Sequence, residues 1–205
     1  MILTKDQLDS LAELINIGVG EAAASLSELV CERIQLRVPF VTVCSSAEAV
    51  KTLHERQDDR LDTSIVQEFQ GAISGRALLA FPRASSLKLG QIISNSQHAP
   101  TTIDLELGGM LSEVGNIVLN GVMGTISNLI GDRLDYSLSR LVVDTDVTHL
   151  IIDDSLIGPR DPAVLIADAQ FDIDNRGVSG SLLVVFHVGS VERILGSIAC
   201  MQAAR

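Results

Sequence analysis

The chain carries nearly the same pattern twice, and any fold proposed for it has to use both copies. A shift of about 100 residues puts Leu11 on Leu111, Glu13 on Glu113, Asn16 on Asn116 and Ile17 on Ile117. It also pairs Ser27 with Ser127, Leu29 with Leu129, Arg33 with Arg133 and Val43 with Val143. Farther along, the offset drifts to about 105, where Gly75 meets Gly180 and Phe81 meets Phe186. A period of this size belongs to domain halves rather than to a solenoid. One helix-strand unit buries little by itself, whereas two joined units can share a sheet covered by their helices. The expectation is one α/β domain of α+β type with an internal pseudo-two-fold repeat. Its central sheet is expected to be mostly antiparallel, with two long helices exposed on one face.

Those helices are the clearest local signal. On a wheel of about 100° per residue, Leu8, Leu11, Ile15, Val19, Ala22, Leu26 and Leu29 fall within one arc. Asp9, Glu13, Asn16, Gly20 and Ser27 cluster roughly opposite. The second helix, 107–130, has its stripe at Leu107, Leu111, Val114, Val118, Val122, Thr125 and Leu129, with Glu113, Asn116 and Asn120 on the far side. Side chains three apart share one helix surface, so each Glu/Asn pair forms a single polar feature. Gly18 and Gly20 each cost a helix about 1 kcal/mol against Ala, which implies close helix packing or close approach by a partner.

Composition narrows the function classes. Apolar residues make up 46% of the chain, so it is globular, and one Tyr, five Phe and no Trp leave an aliphatic core. The 26 acidic against 15 basic residues give a formal charge of -11. Phosphate backbones need clustered Lys or Arg, so a nucleic-acid partner is disfavoured. Cys31, Cys44 and Cys200 show no ligand spacing and read as reduced thiols. The start, Met1-Ile2-Leu3-Thr4-Lys5, is unlike a secretory signal. No apolar run is long enough to span a bilayer. A cytoplasmic location is expected. His54, His98, His149 and His187 are scattered, with no HExxH or CxxC, so no metal site is expected.

In chain order, Thr4 caps the first helix with Gln7 at the capping-box position. Residues 33–43 read as a strand in which Pro39 forces an edge, bulge or bend. A short helix spans 47–53, followed by the charged run 55–60, expected as a loop. Strands at 64–73 and 76–81 flank a Ser74-Gly75 turn, and a helix covers 84–94. Asp104 caps the second long helix. The order then repeats: a strand over 133–144, a strand or short helix over 147–152, a strand over 163–171, a turn over 174–180 including Ser179-Gly180, a strand over 181–188 and a helix over 191–201.

Glu and Asn at this spacing suggest positioning chemistry. Asn does not titrate near neutrality and is no general base, but it holds a water through its carbonyl oxygen or its amide. Glu accepts a charge-assisted bond from Lys or Arg. Such a pair suits orienting a water for in-line attack on a phosphoryl group whose metal and cations come from elsewhere.

At these residues the chain resembles the CheC/CheX/FliY family of chemotaxis phosphatases, most nearly its CheC branch. The family motif is Asp or Ser, three residues, Glu, two residues, Asn, then twenty-two residues and Pro, and Asp9, Glu13, Asn16 and Pro39 match it throughout. The resemblance implies a single domain over 1–205, with repeat halves of about 4–98 and 104–201. It implies hydrolysis of the aspartyl phosphate of a CheY-like response regulator. Asn16 and Asn116 would orient the attacking water, and Glu13 and Glu113 would contact the regulator's lysine. Asp9, Gly20, Asn120 and Pro39 would support the site or bind the partner. Mg2+ would belong to the regulator, with no cofactor bound by this chain. A CheD-like deamidase is a second implied partner, and a monomer is expected because the repeat substitutes for a dimer.

The second copy departs from the motif: Gly109 replaces the Asp or Ser, and Ser139 replaces the Pro. Unequal sites are therefore expected. Asn120, where the first copy has Gly20, is expected to be solvated rather than to make an added polar contact. Asp144, Asp146, Asp153 and Asp154 read as surface or turn residues, and His187 as packed or solvated. Met110 and Met123 read as core filler. The competing reading is a non-catalytic adaptor of the same fold that binds a receiver domain or the deamidase. A flagellar switch component is a third.

Overall fold

A computed structural model describes residues 3–30, 33–39, 41–55, 60–151, 163–173, 176–187 and 189–203. The first half runs α1 (Lys5–Val30), β1 (Ile34–Arg37), β2 (Val41–Ser45), α2 (Ser46–His54), β3 (Leu61–Gly71), β4 (Gly75–Pro82) and α3 (Arg83–Ile93). The second runs α4 (Leu105–Ile130), β5 (Leu134–Tyr136), β6 (Arg140–Val142), α5 (Val147–Ile151), β7 (Ala163–Ile173), β8 (Arg176–Phe186) and α6 (Ser190–Ala203).

The helix boundaries follow from their caps. Thr4 and Gln7 form the expected reciprocal box, with Thr4 N donating to Gln7 Oε1 at 2.9 Å and Gln7 N to Thr4 Oγ1 at 3.3 Å. Asp104 accepts from Leu107 N at 2.9 Å to open α4, and Gly131 closes it in the left-handed conformation at φ 68°. Ser45 and Glu48 box the start of α2. At the corresponding place in the second half, Asp146 Oδ1 accepts from Thr148 N at 2.9 Å and Thr148 Oγ1 at 2.6 Å to open α5.

One eight-stranded sheet is ordered β1-β7-β8-β4-β3-β5, with β2 also on β7 and β6 also on β3, all pairs antiparallel. Each half thus lends its first two strands to the other half's third. At the centre, β4 and β8 pair so that Leu78 faces Leu183 and Gly75 faces Phe186. Both central strands read as nearly continuous hydrophobic runs because both of their faces are covered. Ala77, Leu79, Phe81, Leu182, Val184 and Phe186 point toward the layer of α1, α3, α4 and α6. Leu78, Ala80, Leu183 and Val185 point toward α2 and α5.

The helices α1 and α4 pack against each other above the sheet. At Gly18 an added Cβ would lie 2.6 Å from Val122 Cα and 2.8 Å from the Gly121 carbonyl oxygen, so the two backbones meet where only glycine fits. Gly20 has nothing within 4 Å of such an atom and lies on open surface. Close helix packing therefore accounts for Gly18, whereas nothing in the fold requires a glycine at position 20.

Four expectations need correction. The strand over 33–43 is two strands, broken around Val38 and Pro39 as the proline warned, and the strand over 133–144 is likewise broken at 137–139 without a proline. Of the two alternatives open over 147–152, the short helix is the one found, over Val147–Ile151. Ser179 and Gly180 are not a turn but lie within β8, which starts at Arg176. Gly180 is there because Phe81 crosses it: a Cβ would come within 2.7 Å of that ring. Ser27 does not face away from the protein but binds it to β1, accepting from Ile34 N at 3.0 Å. Most of the run 55–60 lies outside the described residues, as do Asp153, Asp154 and Cys31.

Candidate functional site

Glu13 and Glu113 are both exposed on their helices, and among the described residues neither forms an ion pair. The asparagines beside them are held in different ways.

In the first half, the side chain of Asn16 is spent on the chain that follows its own helix. Asn16 Nδ2 donates to the Val38 carbonyl at 2.9 Å and to the Ala12 carbonyl at 2.9 Å, while Val38 N donates back to Asn16 Oδ1 at 2.9 Å. The reason is local. The ladder between β1 and β7 ends at Arg37, so the main chain of Val38, itself 2% exposed, has no strand partner. Buried backbone groups must be bonded, and the Asn16 amide supplies both a donor and an acceptor, as a neighbouring strand would. Pro39 follows at once, exposed, and lets the chain bend into β2. Asn16 and Pro39 thus bracket one corner.

In the second half that corner is built otherwise. Ser137 N donates to the Glu68 carbonyl at 3.0 Å, and Glu68 N donates to Ser137 Oγ at 2.9 Å. Leu138, the counterpart of Val38, is 94% exposed. Asn116 is thereby released from the role Asn16 performs. It accepts at Oδ1 from Asn120 Nδ2 at 3.1 Å, and its own Nδ2 makes no hydrogen bond among the described residues. Asn120 in turn accepts at Oδ1 from Gln67 Nε2 at 3.2 Å. Asn120 is therefore bonded on both sides rather than merely solvated, and Gln67, on β3, is a contributor that sequence reasoning missed. Residues 67 and 120 are too far apart in sequence for any motif to link them.

Glu113, Asn116 and Asn120 share one helix face with Leu105 and Gly109. Leu105 is 95% exposed, and a Cβ added at Gly109 would have nothing within 4 Å, so the face is open along its length. In the first half Asp9, Glu13 and Gly20 are similarly exposed along α1, and Ile17 beside Asn16 is 50% exposed. The two ridges are open surfaces rather than enclosed pockets, a shape that suits a macromolecular partner better than a small substrate.

No group of three or more His, Cys, Asp or Glu among the described residues could hold a metal ion. Asp144 pairs with Arg83, and Asp146 with Arg60 at 3.2 Å. The Asp146 carboxyl titrates below its ordinary value: burial pushes it up, but the hydrogen bonds from Thr148 and the charges of Arg60 and His54 outweigh that. His187 Nδ1 is bonded to Ser74 Oγ at 2.9 Å. Met123 is fully buried and Met110 partly so. No described helix is long and apolar enough to cross a membrane.

No protein-family model matches the chain. It is similar to a Bacillus subtilis protein named CheY-P phosphatase CheC, at 23% identity over 176 residues, covering 83% of this chain and 82% of that one. Its fold matches Thermotoga maritima FliY at a TM-score of 0.74 with 15% identity, over 97% of this chain and 98% of FliY. In fold, the chain is similar to solved structures of FliY, of a CheC-like protein from Shewanella and of CheX from Vibrio vulnificus. The fold also matches the FliM middle domain from H. pylori, at a TM-score of 0.66 with 11% identity, over 95% of this chain and 99% of that domain.

Proposed function

We propose that this protein is a phosphatase that hydrolyses the aspartyl phosphate of a phosphorylated, CheY-like receiver domain. The observation that carries the reading is Asn116, fixed through its carbonyl oxygen with its amide nitrogen unengaged, beside exposed Glu113 on an open helix face. The acyl phosphate is already activated, so the phosphatase contributes mainly geometry. With the helix against the receiver's site, the Asn116 amide holds a water in line with the phosphorus. The water oxygen bonds to phosphorus, the bond from phosphorus to the aspartyl oxygen breaks, and the carboxylate leaves with that electron pair. The water's proton departs with inorganic phosphate or to solvent. Glu113 receives a charge-assisted bond from a receiver lysine and fixes the approach. Mg2+ is the receiver's own.

The repeat in the sequence offers a second pair, Glu13 and Asn16, on α1. That pair starts from a different state. For Asn16 to orient water, its bonds to the buried Val38 main chain have to break, at a cost of about 1–3 kcal/mol for each group left unsatisfied. The second half is the principal site and the first the lesser one.

The engagement of Asn16 favours a second reading in which the protein is an adaptor that holds a receiver domain, or a CheD-like deamidase, with little turnover. Decay of phosphorylated receiver domain, with and without this protein, separates the two. The phosphatase reading expects acceleration that disappears in the Asn16→Ala/Asn116→Ala double variant. Acceleration that survives in that variant contradicts it.

A further inference from the structure

The geometry points to Gln67 and Asn120 as positioning residues that set which end of the Asn116 amide faces the partner. The assignment rests on the reading of Asn116 as the group that orients water. It starts from a group whose role is fixed by its chemistry: the Ser137 carbonyl can only accept. Gln67 Nε2 donates to it at 3.3 Å, so the amide nitrogen of Gln67 lies on that side. The second hydrogen of the same nitrogen goes to Asn120, which must therefore present Oδ1, at 3.2 Å. Asn120 then has only its Nδ2 to offer Asn116, which must present Oδ1, at 3.1 Å. Three amides are thus oriented in series from one backbone oxygen, and the Nδ2 of Asn116 is left unengaged among the described residues.

The series starts in the interior at Gln67, 3% exposed, passes through exposed Asn120 and ends at half-buried Asn116. A buried polar side chain is costly unless bonded. Gln67 is anchored by its donors alone, since its Oε1 has no hydrogen-bond partner among the described residues. Turning Gln67 over would set that oxygen against the Ser137 carbonyl, two acceptors face to face, so the first amide resists flipping and the other two inherit its orientation. The consequence for catalysis is a donor held toward the reacting water. An N–H that engages one lone pair of the water leaves the other for phosphorus, whereas a flipped amide would offer its carbonyl oxygen to the water's hydrogens instead. Gly20 stands where Asn120 does and has no side chain, so the first half has no such series.

The test uses the whole protein with phosphorylated receiver domain, comparing Gln67→Met, Asn120→Ala, their combination and Asn116→Ala. Gln67 is too deep to touch a partner, so Gln67→Met is expected to lower kcat roughly tenfold at unchanged KM, the signature of misplacement rather than lost binding. Asn120→Ala, at an exposed position that does not threaten folding, is expected to do the same. The combination is expected to be no worse than Asn120→Ala alone, because both changes cut one series. In the isolated protein, the side-chain amide NMR signal of Asn116 is expected to shift in Gln67→Met and in Asn120→Ala. An unmoved Asn116 signal, or effects on kcat that multiply in the combination, overturns the assignment. Activity lost in Asn116→Ala yet untouched by both Gln67→Met and Asn120→Ala overturns the series alone. A wild-type protein that does not accelerate decay overturns the function on which it rests.

Discussion

The corner after α1 and the corner after α4 start from matching sequence and solve the same problem with different atoms. After β1 the chain needs a partner for the Val38 main chain and takes the Asn16 amide. After β5 it uses the hydroxyl and main chain of Ser137 against Glu68, and leaves the Asn116 side chain bonded, among the described residues, only at its carbonyl oxygen, by Asn120. An asparagine that completes a corner is stable where it is. An asparagine held by one end is ready to bind something else. The difference shows that the same residue type at matching places in the sequence repeat can be held by different partners.

The sharpest way to break this comparison is thermodynamic. Asn16→Ala leaves a buried N–H and a buried C=O of Val38 without partners, and at about 1–3 kcal/mol per group this should cost about 2–6 kcal/mol in denaturant unfolding. Asn116→Ala should cost less than about 0.5 kcal/mol, as a substitution that strands no buried group. Equal losses would mean that the two asparagines do the same work.

The helix contact gives the next largest contrast. Gly18→Ala drives a methyl into the α4 backbone and should destabilise by about 1–3 kcal/mol. Gly20→Ala, on open surface, should stabilise by up to about 1 kcal/mol through helix propensity alone. Thermal unfolding of both variants checks the direction of each.

The smallest effect concerns the paired short helices. Asp146 opens α5 with a carboxyl held below its ordinary value, so its contribution is present above the unfolded carboxylate value of about 4 and is lost as pH falls through the depressed one. Asp146→Asn should therefore be less stable than wild type at pH 7, and the gap should close on acidification. A gap that widens toward low pH would contradict that linkage.

How much of this was legible beforehand depended on whether the cause was local. The caps at Thr4 and Asp104, the stripes of α1 and α4, and the bend at Pro39 are set by neighbours in sequence and could be read directly. The break at 137–139 had no proline to announce it. Gly180 looked like a turn because it aligns with Gly75, but its lack of a side chain answers to Phe81 on the adjacent strand. The Glu/Asn pairs stood out in the sequence, whereas what distinguishes them did not. Asn16 meets Val38 across a corner, and Asn120 meets Gln67 between helix and sheet, contacts that only the fold creates.

The most direct measurement is the decay rate of phosphorylated receiver domain with Asn116→Ala and Asn16→Ala compared singly, at a temperature where both variants are folded. Asn116→Ala is expected to lose most of the acceleration, on the order of a hundredfold, while Asn16→Ala keeps most of it. Full acceleration in Asn116→Ala would contradict the role given to that side chain.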